Sequence, residues 1–325
     1  MPPGFIRGCW VRRSTRQEMT KHIIERVVVS IPVVIGIATL VFLILHLVPG
    51  DPVAVMFSQQ SMTQEQLHII RERLGLNEPL PIQYVRYLWN AAQGNLGQSV
   101  RGGLPVTELI SRQFPYTMEL ALWGMLMAII LGLSFGILAG LYHNSWFDNL
   151  VMILSVGGLS IPGFWIGLMM IQLFSVRLGW LPSAGVGDWK SLIMPAIAIG
   201  VAEMAVIARM TRSNLIEVLH EDYVRTARAK GLRETAVIMH HALKNTLIPT
   251  VTIMGVQIGR LLGGAVVMEA VFARPGIGNL AVKAIIDKDF PVAQGCVLIT
   301  ALIYVLSNIC VDVSYAFLDP RVRLE

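Results

Sequence analysis

The sequence predicts an all-α polytopic membrane protein with six transmembrane helices. The residues are 54% apolar and 14% charged, against roughly 25% charged in an ordinary soluble domain. A soluble chain this apolar could not cover its surface. Six segments reach the length of about 20 mostly apolar residues that a bilayer requires: approximately 27–48, 117–141, 149–176, 192–209, 247–270 and 293–317. The cations are uneven as well. With the amino terminus inside, inner segments hold fifteen Lys and Arg and outer loops hold ten, five of these in the long 49–116 loop, where charge has less effect on orientation. Both termini are therefore expected in the cytoplasm, and the net charge of +5 is an orientation signal. No basic block with interleaved aromatics points to nucleic acid.

Residues 1–26 form the cytoplasmic amino-terminal segment. Met19 precedes a natural start at Lys21-His22-Ile23-Ile24-Glu25-Arg26, so residues 1–18 read as a dispensable extension. The first apolar run is too long for a cleaved signal and has no A-x-A site after it, so it reads as a retained span. The 49–116 loop is the one sizeable soluble piece. Thr63 caps a first helix that Gly75 ends. A second, amphipathic helix over 82–92 carries Tyr84, Tyr87 and Trp89, read as membrane-interface anchors with a docking patch as the alternative. About 65 residues make little core alone, so this piece is expected on the outer membrane surface or on a partner.

Two spans carry glycine at every fourth position, Gly132, Gly136 and Gly140 in the second and Gly255, Gly259 and Gly263 in the fifth. This spacing lets a neighbouring backbone approach closely. The third span is interrupted at Ser160-Ile161-Pro162-Gly163-Phe164. Proline removes a backbone donor, so a kink is expected, either a simple bend or a hinge beside a wet pathway.

Between the fourth and fifth spans lies a polar island, 210–246, with Arg212, Arg225, Arg228, Lys230, Arg233 and Lys244. Its Ala227-Arg228-Ala229-Lys230-Gly231 gives a small, smooth turn of helix that another protein could grip from the cytoplasm. No P-loop, H-E-x-x-H, G-x-S-x-G or Cys–His cluster is present, which weighs against a membrane-bound enzyme. Cys296 and Cys310 share one helix about 21 Å apart, too far to bond to each other, and with Cys9 they read as small apolar fillers. Ionisable groups in or near spans are costly and often functional. Glu119 and Glu269 read as membrane-edge groups; Glu203, Arg260 and Asp312 lie deeper, either pairing to fix packing or lining a polar route.

The run Asp222-Tyr223-Val224-Arg225-Thr226-Ala227-Arg228-Ala229-Lys230-Gly231 and the later Asn245-Thr246-Leu247-Ile248-Pro249 resemble the cytoplasmic loop of bacterial ABC importer permeases. Further matching pieces are Val48-Pro49-Gly50-Asp51-Pro52, Gly94-Asn95-Leu96-Gly97-Gln98-Ser99, Phe272-Ala273-Arg274-Pro275-Gly276-Ile277-Gly278, Asp289-Phe290-Pro291-Val292-Ala293-Gln294-Gly295 and Leu318-Asp319-Pro320-Arg321-Val322-Arg323. They run in order over 19–323 and look like the dipeptide/oligopeptide/nickel branch; Leu178-Gly179-Trp180-Leu181-Pro182 is most similar to glutathione and dipeptide members. Two departures from the general importer pattern are similar to those of this branch. Arg225-Thr226-Ala227 stands in the Glu-Ala-Ala slots, and Pro249 lies farther from Gly231 than usual.

The resemblance implies a permease in the bacterial inner membrane that catalyses nothing itself. It implies a second homologous permease as heterodimer partner, two cytoplasmic ATPase subunits holding ATP and magnesium, and an extracytoplasmic solute-binding protein. It also implies the coupling role of Asp222, Tyr223, Arg225, Thr226, Ala227, Ala229, Lys230 and Gly231, set in a cleft of the ATPase. The expected cargo is dipeptides or oligopeptides, with glutathione or nickel as alternatives. An ion-coupled secondary carrier is the reading from another class, and lacks a clear acidic relay or internal repeat. For a zwitterionic peptide, Glu203, Arg260 and Glu269, with the break at Pro162, are the candidate pathway residues.

Overall fold

The computed structural model describes the backbone of residues 7–47, 51–57, 63–73 and 75–318, and side chains at those positions except 7–23, 45, 52, 73, 252 and 312–318. The 48–50 stretch, the carboxy-terminal run from 319, and the side chains of Cys9 and Asp312 lie outside the described residues. Helix α1 spans Arg7–Leu47; α2 (Pro52–Met56), α3 (Gln64–Arg73) and α4 (Leu80–Ala92) follow. Next come α5 (Val106–Leu141), the bent pair α6 (Trp146–Ser160) and α7 (Gly163–Arg177), and α8 (Lys190–Leu219). The chain ends through α9 (Asp222–Ala229), α10 (Glu234–Val271), α11 (Ile277–Ile286) and α12 (Phe290–Leu318). Five of these helices are long and apolar enough to cross a membrane, and six spans result when α6 and α7 count as one.

The glycine stripe of α5 explains its pairing with α8. A Cβ on Gly132 would stand 2.9 Å from Ile207, one on Gly136 2.6 Å from the Ala208 carbonyl oxygen, and one on Gly140 3.0 Å from Leu215. Side chains there would push the two backbones apart. Partner numbers rise together along both helices, so α5 and α8 run parallel. The chain must then return across the membrane between them, and only α6 and α7 can carry it.

Those two meet at 103°. Ile161 and Pro162 are extended, with ψ of 126° and 132°, because proline forces its predecessor out of the helical region and supplies no donor. The expected kink is thus a full corner. The fifth-span stripe is less uniform. Gly255 and Gly259 lie against Val311 and Tyr304 of α12, whereas a Cβ on Gly263 would meet nothing within 4 Å among the described residues.

Helix ends depart from the hydropathy segments. α5 starts at Val106 rather than 117, α8 runs to Leu219 rather than 209, and α10 starts at Glu234 rather than 247. Hydropathy reports only the lipid-facing length, while the backbone hydrogen-bond ladder continues into water. The connection between α8 and α10 is accordingly much shorter than 210–246.

In the long loop between α1 and α5, Thr63 and Gln66 form a reciprocal capping box, and Gly75 ends the region at φ 69°. The aromatics of α4 are not all interface anchors. The Tyr84 hydroxyl bonds Thr39 at 2.6 Å, and Phe42 of α1 meets the rings of Tyr84 and Tyr87. Only Trp89 remains largely exposed. The segment therefore rests on α1 through Tyr84 and Tyr87, while Leu80, Ile82, Val85 and Trp89 of α4 stay exposed. The matched pieces at 94–99 and 289–295 come together here. The Ser99 hydroxyl bonds the buried Asp289 carboxylate, which also accepts the Val100 amide at 3.2 Å.

Candidate functional site: the short loop helix and the buried charges

Helix α9 projects from the end of α8 on a single turn. Val224 and Ala227 are buried against Val237, with Val218 and Leu219 packed beside them. This small apolar cluster fixes the helix to the ends of its two neighbours. Arg228 ties it further, donating to Glu234 at 2.7 Å and to the Leu219 carbonyl at 3.4 Å. Asn245 donates to the Tyr223 hydroxyl at 2.7 Å, joining the two sequence pieces that flank the loop. Lys230 and Gly231 close the helix with bonds back to Thr226 and Arg228, and Gly231 stands at φ 77°, where a β-carbon is unfavourable.

The outward face of α9 consists of Asp222, Tyr223, Arg225, Thr226, Ala229, Lys230 and Gly231, all exposed. Ala227, placed among the coupling residues by sequence, points inward instead. The helical period decides this: Val224 and Ala227 lie three residues apart on one stripe. Of the small residues, Thr226, Ala229 and Gly231 are therefore the ones left exposed.

The buried charges resolve differently. Glu203 on α8 is buried, and its Oε1 lies 3.5 Å from the Arg260 guanidinium on α10. Its other carboxylate oxygen has no hydrogen-bond partner among the described residues. Arg260 is 53% exposed, so one side of its guanidinium is not covered by this chain. The pair joins two helices and also presents a cation. Arg260→Ala should destabilise the permease by about 1–2 kcal/mol, because a buried carboxylate loses its counter-ion while the exposed arginine is already screened. Adding Glu203→Gln should recover most of that loss. Thermal unfolding of the single and double variants checks this; no recovery would mean that arginine packing matters and its charge does not.

Glu269, expected as a membrane-edge group and a candidate pathway residue, is fully buried, accepting from the Thr117 hydroxyl at 2.6 Å and from the Gly278 and Asn279 amides at 2.8 and 3.1 Å. Thr117 in turn accepts the Ile277 amide at 2.9 Å. The carboxylate thus caps the N-terminus of α11, where helix amides and dipole favour an anion. Arg274 is buried and bonds Glu119 on α5. The 272–279 piece is therefore a lock joining α5, α10 and α11. The available signal was Gly276 and Gly278 around a helix start, with an acid seven residues earlier. Sequence reading also missed the buried Asp148 held by Arg212 and His143, which ties the α5–α6 turn to α8. Its signal was the Ser145-x-x-Asp148 cap, whose Ser145 hydroxyl accepts the Asp148 amide at 3.2 Å.

Residues 132–324 match the binding-protein-dependent transport system inner membrane component, and residues 19–121 match that family's N-terminal part. The chain belongs to this family. The permease is 43% identical over 307 residues to the glutathione transport system permease protein GsiC of Salmonella paratyphi A, covering 94% of this chain and 100% of that one. It is 42% identical over the same span to GsiC of Escherichia coli K12. Among solved structures, the inward-facing MetNI methionine ABC transporter aligns with a TM-score of 0.56 at 19% identity, over 65% of this chain and 96% of that one. An amino acid ABC transporter with histidines aligns at 0.53 and 12%, over 65% and 95%. These two share the fold. The protein is thus a multi-pass inner-membrane permease of the peptide branch of ABC importers. The permease subunit is not itself catalytic.

Proposed function

We propose that this permease forms half of a channel for short peptides, glutathione among them, driven by ATP hydrolysis in separate cytoplasmic subunits. The observation that carries the reading is α9: a short helix with an exposed, small-residue face, fixed rigidly between the ends of two spans. A pull on such a helix moves α8 and α10 together, which is what rigid-body rocking between inward and outward states requires. The wider assembly follows the family: a homologous second permease, two ATPases with ATP and magnesium, and an external binding protein. The end-to-end similarity to glutathione permeases favours a small peptide over nickel. In this reading Arg260 faces the peptide carboxylate as it loses water, while Glu203 holds the arginine in place.

The test is uptake into proteoliposomes holding the assembled complex and its binding protein. ATP-dependent accumulation of glutathione or dialanine is expected. Accumulation driven by a proton or sodium gradient without ATP would overturn the reading in favour of a secondary carrier.

The orientation makes a separate prediction. In a background lacking native cysteines, Ile285→Cys should react with a membrane-impermeant thiol reagent on intact spheroplasts. Arg225→Cys should react only after the membrane is opened. Both positions are exposed, so access alone decides labelling. The reverse pattern would place α9 outside and remove it from any cytoplasmic ATPase.

A further inference from the structure

A cleft of about 560 Å³ opens between the middle of α5, the start of α8 and the 186–189 turn. Its size lies within the usual range for small-molecule sites. Glu119 and Arg274 stand in its wall with Asp188, and Tyr116, Trp123 and Trp189 supply aromatic faces. Arg274 is buried and bonded to one oxygen of Glu119, and its Nε atom has no hydrogen-bond partner among the described residues. A buried guanidinium with an unused donor is expensive to keep. The Glu119 carboxylate it bonds is 47% exposed and stands in the cleft wall. Asp188 is exposed, and among the described residues its side chain accepts the Lys190 amide, at 3.2 Å. Two carboxylates beside exposed indole rings suit a cation, since carboxylates and aromatic faces both attract positive charge. An anion would meet Arg274 only behind Glu119.

We propose that this cleft binds an organic ammonium group, with Glu119 and Asp188 as counter-ions and Trp123 and Trp189 as stacking faces. Two sources carry that chemistry: the free amine of a short peptide and the ethanolamine headgroup of a phospholipid. The site is independent of α9, so failure of the coupling reading would leave ammonium binding intact.

The experiment is native mass spectrometry of the detergent-purified permease with defined probes. These are alanyl-phenylalanine, N-acetyl-alanyl-phenylalanine, dilauroyl phosphatidylethanolamine and dilauroyl phosphatidylglycerol. Binding of an ammonium-bearing probe at least about tenfold tighter than its uncharged or anionic counterpart is expected. Saturable binding of the dipeptide assigns the free amine; binding of phosphatidylethanolamine alone assigns the lipid. Asp188→Asn, on an exposed turn where folding is not at stake, should weaken the preferred probe several-fold, and Glu119→Gln should weaken it further. Equal binding of charged and uncharged probes, or wild-type selectivity in Asp188→Asn, overturns the site.

Discussion

Replacing Ala229 with tryptophan should leave the permease folded in the membrane and lower ATP-driven uptake about tenfold or more. Ala229 is exposed on the outward face of α9, so the new ring meets nothing in this chain. It would meet the partner cleft. Overfilling a packed contact costs about 1–3 kcal/mol, and each 1.4 kcal/mol is about tenfold in affinity. Thr226→Trp should act in the same way. Ala227→Trp is the contrasting variant: Ala227 packs against Val224 and Val237, so a ring there should disrupt the mount of α9 and lower folded yield before any docking is tested. The measurements are membrane yield, copurification of the ATPase and peptide uptake for each variant. Normal uptake by Ala229→Trp at normal yield would remove the exposed face of α9 from coupling.

This contrast marks how far the sequence could be read. The small-residue run 227–231 and its flanking cations marked a short polar helix between two spans, because polarity between two apolar runs is a local property. Which alanine faces outward depends on the helix phase, and that phase is set by Val224 and Val237, a contact across the loop. The spans were legible for the same local reason: a bilayer demands length and apolarity, and both can be counted. Their ends were not, since α5, α8 and α10 continue as helix beyond the apolar window. The glycine stripe of α5 announced a close neighbour without naming it; α8 became that neighbour only in three dimensions. Charges were hardest. Glu203 and Arg260 are adjacent although they lie on different helices, and no spacing rule connects them. Glu269 looked like a group at the membrane edge, because its partners Thr117 and Gly278 lie on other helices.

Glu269→Ala should abolish recovery of folded permease, the largest effect of any single substitution expected here. Three donors converge on that carboxylate: the Thr117 hydroxyl and the Gly278 and Asn279 amides. Each buried donor left unsatisfied costs about 1–3 kcal/mol, and the total stability of a folded domain is only about 5–15 kcal/mol. Water cannot substitute in a site this closed. Glu269→Gln is the sharper variant, since it preserves volume but turns an amide NH2 toward donors. It too should assemble poorly. The same lock is reached from its other side by Gly276→Val. A Cβ at Gly276 would lie 2.0 Å from the Glu269 carboxyl carbon, a separation no relaxation of a buried carboxylate can absorb without expelling α11. Size-exclusion profiles of solubilised membranes, taken with expression level, separate this from a transport role. A lining residue would give Glu269→Gln protein of wild-type yield and elution with altered uptake. That result would put Glu269 back on the pathway, whereas loss of the monodisperse peak in both Glu269→Gln and Gly276→Val identifies the carboxylate as the cap that holds α11 against α5 and α10.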